Sequence, residues 1–244
     1  MKTLACSAIL IVAFSLSAQA PTAVPVAKEP HHHLILANGN MNAFRVSIPA
    51  NDTTLMHRHD LSYVYVSLGP ADIINAVEGK PEIHAKLLDG QVGYAKGGFA
   101  HIARTDAGIP FNNVTVELVG NQGEPRNLCE KVVAGDPGKC DLSRDDATAA
   151  IRTRPVMETD GVLAEAVTAK RGEHMDAPHA QPGLLIAVGG APIKVGGVPG
   201  RNQETLHSGE MIWLPVSAQP KFIVEDGPES RLLLITFKEG AGKP

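Results

Sequence analysis

Residues 57–69 read His-Arg-His-Asp-Leu-Ser-Tyr-Val-Tyr-Val-Ser-Leu-Gly, and residues 90–101 read Gly-Gln-Val-Gly-Tyr-Ala-Lys-Gly-Gly-Phe-Ala-His. In an extended chain, side chains two apart share a face. His57 and His59 would therefore point the same way, which suits two neighbouring ligands of one metal ion. The run at 63–68 is β-branched and aromatic and stops at Gly69-Pro70, the signature of a strand. Tyr63 and Tyr65 alternate with Val64 and Val66. Two readings stand for the tyrosines: catalytic candidates, as acid–base or orienting groups inside a barrel, or ordinary strand packing.

Working outward, the same style continues. Apolar stretches at 34–37, 44–48 and 114–118 end at Asn38-Gly39-Asn40, Pro49 and Gly120. After residue 160 it returns at 162–169, 184–188, 211–214, 221–224 and 231–237. Short strands with frequent turn signals predict a sandwich or barrel. Gly90-x5-Lys96 and Gly209-x5-Pro215 are separated by 119 residues, and each is followed by a loop and an apolar strand. Two related β-domains in tandem are expected. Between them, residues 121–160 read as a linker. Within it, residues 143–154 fit one short helix, with Ser143 as N-cap, acidic residues in the first turn and Pro155 as the stop.

The spaced histidines and glycines resemble the cupin superfamily. His57 and His59 match the paired histidines of cupin motif one and Gly69 its closing glycine, while Gly90, Gly98 and His101 match three positions of motif two. The resemblance implies an all-β chain of two tandem, jelly-roll-like cupin barrels. The first, at 34–120, would hold a divalent transition metal on His57, His59 and His101. The motif-one glutamate is missing, its place falling at Ser62, Tyr63 or Val64, and the motif-two asparagine is Thr105. A three-histidine site suits iron if the protein is an oxygenase, and zinc, nickel or copper otherwise. With no carboxylate ligand the ion would keep its full charge, so a small organic and preferably anionic ligand is expected. The second barrel, at 161–240, looks degenerate: a shift by 120 puts Ala177 and His179 at the paired positions, and Pro220 stands where a histidine belongs. A homodimer is among the assemblies the resemblance allows.

Composition bounds the alternatives. Of 244 residues, 43% are hydrophobic and 20% charged, as in a globular protein, and the net charge of −4 with 4% aromatics speaks against a nucleic-acid partner. Residues 1–20 read as a secretory signal: Lys2, an apolar run, then Ala18-Gln19-Ala20. No later run is long enough to span a membrane. A secreted or periplasmic location follows, with Cys129 and Cys140 expected to form a disulfide in the mature chain. Residues 21–33 read as a flexible leader, with His31-His32-His33 a solvated part of it rather than a ligand set. Three functional classes remain: a cupin-type dioxygenase, a non-catalytic small-ligand-binding protein, and an interaction protein.

Overall fold

A computed structural model describes residues 22–238, apart from 107, 130, 131, 134, 135, 141–150, 173, 177–180 and 226, and describes 132–133, 136–140 and 174–176 by backbone alone. The first half contains β1 (Val24–Pro25), β2 (His32–Ala37), β3 (Met41–Ile48), β4 (His57–His59), β5 (Tyr63–Ser67), β6 (Ala71–Val77), β7 (Ile83–Leu87), β8 (Val92–Ala95), β9 (Phe99–Arg104) and β10 (Phe111–Leu118). The connection carries β11 (Arg126–Asn127), β12 (Val132–Val133) and β13 (Asp136–Cys140). The second half contains β14 (Ile151–Glu158), β15 (Val162–Ala169), β16 (His174–Asp176), β17 (Gly183–Gly189), β18 (Ile193–Gly196), β19 (Glu204–Leu206), β20 (Met211–Leu214), β21 (Lys221–Val224) and β22 (Ser230–Phe237).

Each half is a pair of facing sheets. In the first, β1-β4-β9-β6-β7 faces β12-β13-β8-β5-β10-β3-β2; in the second, β16-β21-β18-β19 faces β11-β14-β15-β22-β17-β20. The run β8-β5-β10-β3-β2 is repeated strand for strand as β20-β17-β22-β15-β14. The starts of β8 and β20, and of β10 and β22, are each 119 residues apart. The repeat expected from the glycines is therefore real, and the chain is an all-β tandem of two barrels.

Alternation decides what each face of the large sheets meets. On β3, Met41 and Ala43 point outward while Phe44, Val46 and Ile48 point inward; on β10, Val114, Val116 and Leu118 point outward. The outward set is not solvated. It packs against Val162, Ala164, Leu184, Ile186, Leu233, Ile235 and Phe237 of the second barrel, forming one core between the halves. Both faces of the second barrel's large sheet are buried, so β17 is apolar throughout and β22 carries the unbroken run Leu232–Ile235, whereas β10 alternates outward valines with the inward polar Asn113, Thr115 and Glu117. The interior of the second barrel is a separate aliphatic core that includes Leu185, Ile193, Leu214, Phe222 and Leu234. Asp89 accepts a 2.6 Å hydrogen bond from Arg231 across the junction.

Two expectations are corrected. Residues 151–154, the end of the expected helix, are the start of β14, which pairs along its length with β15; the rest of that helix and the signal segment lie outside the described residues. The reason lies in tertiary pairing: β15 offers a full ladder, whereas an isolated twelve-residue helix is marginal in water. The leader is also not free. Val24 and Pro25 pair parallel to His57 and Arg58, a 3₁₀ turn covers Val26–Lys28, and Val26 is buried in the first barrel. Burial of Val26 contributes roughly 1.5–3 kcal/mol, enough to dock a short segment. Among the described residues, no helix is long and apolar enough to cross a membrane.

Candidate metal centre

The interior of the first barrel is apolar at one end and polar at the other. β4 turns His57 and His59 inward, while Arg58 faces out, close to Glu78. β9 pairs antiparallel with β4 so that His101 lies opposite His57 and Phe99 opposite His59. The turn that sets this register holds Gly98 at φ +89°, and its amide donates to the His59 carbonyl at 2.7 Å. Only glycine adopts that backbone without strain. The three expected histidines are thus brought together: ring centroids are 4.3 Å apart for His57–His101, 5.2 Å for His57–His59 and 5.3 Å for His59–His101. All three are buried.

A fourth imidazole joins them. His32, assigned from sequence to a solvated leader, is 9% exposed and lies 4.6 Å from His57 and 5.9 Å from His59 between ring centroids. One ring nitrogen each from His32, His57 and His59 lie within 4.8 Å of one another, whereas His101 lies against His57, its ring tilted by 54°, outside that triplet. His31 and His33 play different parts. His31 has both ring nitrogens against carboxylates, Glu29 at 2.9 Å and Asp52 at 3.3 Å, and His33 is exposed.

Every imidazole of the cluster has its Nδ1 committed. His32 meets Glu29 at 2.6 Å, His57 the Leu55 carbonyl at 2.9 Å, His59 Glu117 at 3.3 Å and His101 the Asn75 side-chain oxygen at 2.7 Å. These partners accept protons, so they assign the Nδ1–H tautomer and leave Nε2 with its lone pair. The Nε2 atoms of His57 and His101 are buried and have no hydrogen-bond partner. An unpaired buried nitrogen costs about 1–3 kcal/mol. An ordered shell of outer acceptors around inner lone pairs is the arrangement of metal-binding histidines. The residues fit a borderline or soft divalent ion that favours nitrogen donors.

Electrostatics keep the inner nitrogens free. Burial, with the nearby imidazoles, pushes His57 down to about 4 and His101 down to about 2, so both are neutral at physiological pH. Burial also lowers His32, against the pull of Glu29. For Glu29 burial works upward, but hydrogen bonds from His32 and His31 outweigh it and hold the carboxyl at about 2. His31 is raised: its contacts with Glu29 and Asp52 overcome burial. Glu29 and Glu117 alter the expected charge of the site. Two buried carboxylates stand one imidazole away from the centre, Glu29 behind His32 and Glu117 behind His59. An ion there would not keep its full charge.

The tyrosines are separated by role. Tyr63 is buried, with its ring 4.4 Å from that of His59. Burial, then the charges of Tyr65 and Glu117, push its hydroxyl upward, so it stays protonated and is suited to donate a hydrogen bond rather than act as a base. Tyr65 lies across Gly93, where an added Cβ would overlap its ring. The Thr105 hydroxyl donates to the Pro49 carbonyl at 2.6 Å, a structural use of the position where motif two has asparagine. The second barrel shows no comparable set among the described residues; Ala177 and His179 lie outside them. Cys129 is described, but the side chain of Cys140 is not.

No protein-family model matches the chain, and no curated protein sequence matches it. Solved structures do. AerE from Microcystis aeruginosa superposes with a TM-score of 0.64 at 12% identity, covering 90% of this chain and 98% of that one. A cupin 2 conserved barrel domain protein from Leptotrichia buccalis gives 0.56 at 12%, covering 89% and 92%. The salicylate 1,2-dioxygenase from Pseudaminobacter salicylatoxidans gives 0.56 at 12%, covering 87% and 77%. Together with the strand-for-strand repeat, these likenesses show that the chain has the cupin fold, as two barrels in tandem.

Proposed function

We propose that the protein is a metal-binding cupin that acts on a small organic molecule at the first barrel, as a dioxygenase, with His57, His59 and His101 as ligands. The observation that carries this reading is the pair of buried, unpartnered Nε2 atoms on His57 and His101, inside a cluster whose outer nitrogens are all anchored. A salicylate 1,2-dioxygenase of the same fold has been solved as an adduct with gentisate, which supports a small-molecule substrate here. When bound, the ion supplies Lewis acidity and, if it is iron or copper, redox capacity.

The chain's own groups do the rest. Tyr63 and Phe99, with ring centroids 6.3 Å apart, flank His59 and give the ligand an apolar wall. The protonated Tyr63 hydroxyl orients an acceptor oxygen on the ligand. Glu29, Glu117, Asn75 and the Leu55 carbonyl hold four imidazoles in one tautomer. Because Glu29 and Glu117 offset much of an ion's charge, the pull on anionic ligands is weaker than an all-neutral shell would exert. Neutral phenols and carboxylates are both admitted.

The test is oxygen uptake by the iron(II)-loaded protein with gentisate, salicylate and uncharged phenols. Uptake by wild type and none by the His57→Ala/His59→Ala/His101→Ala variant is expected. Tight ligand binding without uptake, under any of the four metals, favours the non-catalytic binding protein instead; the fourth imidazole, which would reduce open positions, is the observation on that side. For location, we propose export directed by residues 1–20, with Cys129 joined to Cys140. Cys129 packs on the core that contains Val92, and Cys140 pairs through its backbone with Val92. Peptide mapping without reductant should recover the linked pair; two alkylatable thiols in protein taken from the periplasm would contradict it. A homodimer is proposed on the resemblance alone, and sedimentation decides it.

A further inference from the structure

We propose that His32 is a metal ligand, supplying the fourth donor that motif one lacks, and that Glu29 positions it, so that the segment from Val24 to His32 is a clasp closing the metal site. The inference rests on the metal-binding reading above. It follows from four observations. His32 is in the compact triplet of ring nitrogens with His57 and His59. Its Nδ1 is held by Glu29 at 2.6 Å, leaving Nε2 as the free donor. Its neighbours are excluded as ligands, His31 because two carboxylates take both its nitrogens and His33 because it faces solvent. The carboxylate of Glu29 is fully enclosed and accepts four hydrogen bonds, from His32, from the ring and amide of His31, and from the Leu55 amide.

That last contact ties the clasp to the site itself. Leu55 is the residue whose carbonyl holds His57. One buried carboxylate therefore fixes His32 directly and sits one residue's backbone away from the support of His57. The segment is further attached by the parallel pairing of Val24 with His57 and by the Val24 amide, which donates to the Met56 carbonyl at 2.9 Å. A solvated leader has no need of an enclosed acid with every oxygen engaged. A ligand-bearing strap does, because an imidazole at the start of a strand would otherwise rotate freely. Glu29 is a positioning residue, since it reaches the centre only through His32.

The experiment titrates apo-protein with cobalt(II) and zinc(II) against a chromophoric chelator, and records the cobalt(II) absorption bands. His57→Ala should abolish stoichiometric binding. His32→Ala should still bind one ion per chain, weakened ~100-fold or more and with altered cobalt(II) bands, and added imidazole should restore part of both. Glu29→Gln should weaken binding ~10–100-fold. Glu29→Asp should recover part of it, and His33→Ala should match wild type. His32→Gln, which keeps bulk and a donor to Glu29, covers the case in which His32→Ala fails to fold. Wild-type affinity and bands in His32→Ala or His32→Gln, with binding lost in His57→Ala, would overturn the clasp and leave the metal site standing. Wild-type binding in His57→Ala as well would overturn the metal reading itself. Hydrogen exchange adds a readout independent of affinity: amides 24–32 should slow on zinc addition in wild type, and unchanged exchange would count against the clasp.

Discussion

The energetics of the site turn on single nitrogens. His57 and His101 are buried neutral, and the unfolded chain protonates them near 6.5. Their folded values are lower, so the unfolded state binds more protons between the two. Stability is then complete above about 6.5 and is lost as pH falls toward 4, by on the order of 3 kcal/mol for His57 alone. The thermal midpoint of the apo-protein should therefore drop between pH 6.5 and 4, and less steeply in His57→Phe; superimposable profiles would contradict it. Asn75 gives a second test at this scale. It holds His101 by one 2.7 Å hydrogen bond, so Asn75→Ala should reduce zinc affinity ~10–100-fold while leaving the fold intact. Unchanged affinity in a chelator competition would show that His101 needs no support. His57, His59 and His101 were legible because cupin spacing marks them. The burial of His32 beside them was not, because a polar tail and a buried histidine look alike until a partner 25 residues away is placed. Glu117 left a readable trace: Asn113, Thr115 and Glu117 alternate with Val114, Val116 and Leu118, which marks a polar interior face.

At the scale of elements, the site depends on the turn from β8 to β9. Gly97 lies against the Leu61 carbonyl so closely that an added Cβ would overlap its carbon and oxygen. Gly97→Ala must shift backbone on one side or the other, moving either His101 or the end of β4. A loss of about 1–3 kcal/mol by denaturant titration is expected, together with weaker metal binding. Equal stability and equal affinity would mean the turn is not what aligns the histidines. The end of the expected helix has a similar physical lesson. Residues 143–154 carry a valid cap and stop, yet 151–155, half-buried except at Thr153 and Pro155, are, among the described residues, an edge stretch of β14 beyond its two-residue pairing with β11. Proline is tolerated on such an edge, and the register shift between Pro155 and Met157 absorbs its missing amide. Pro155 reads equally as a helix stop and as an edge-strand bulge, and only the partner strand decides between them.

Over the whole molecule, the core between the barrels makes them interdependent. Phe237 is 2% exposed and sits in that core, with its ring 5.4 Å from Trp213. Phe237→Ala should cost about 3–5 kcal/mol and lower the stability of both halves together, seen as one calorimetric transition. Two separate transitions, with only one displaced, would show that the barrels fold alone. Repeat and fold class were visible in the glycine spacing and the strand pattern. The shared core was hidden, because an outward-facing valine on a strand does not reveal whether water or another sheet covers it. The metal centre is the claim on which the functional reading stands, and elemental analysis of the purified protein tests it most directly. One transition-metal ion per wild-type chain is expected, and none in the His57→Ala/His59→Ala/His101→Ala variant. Full metal retention by that variant would contradict it.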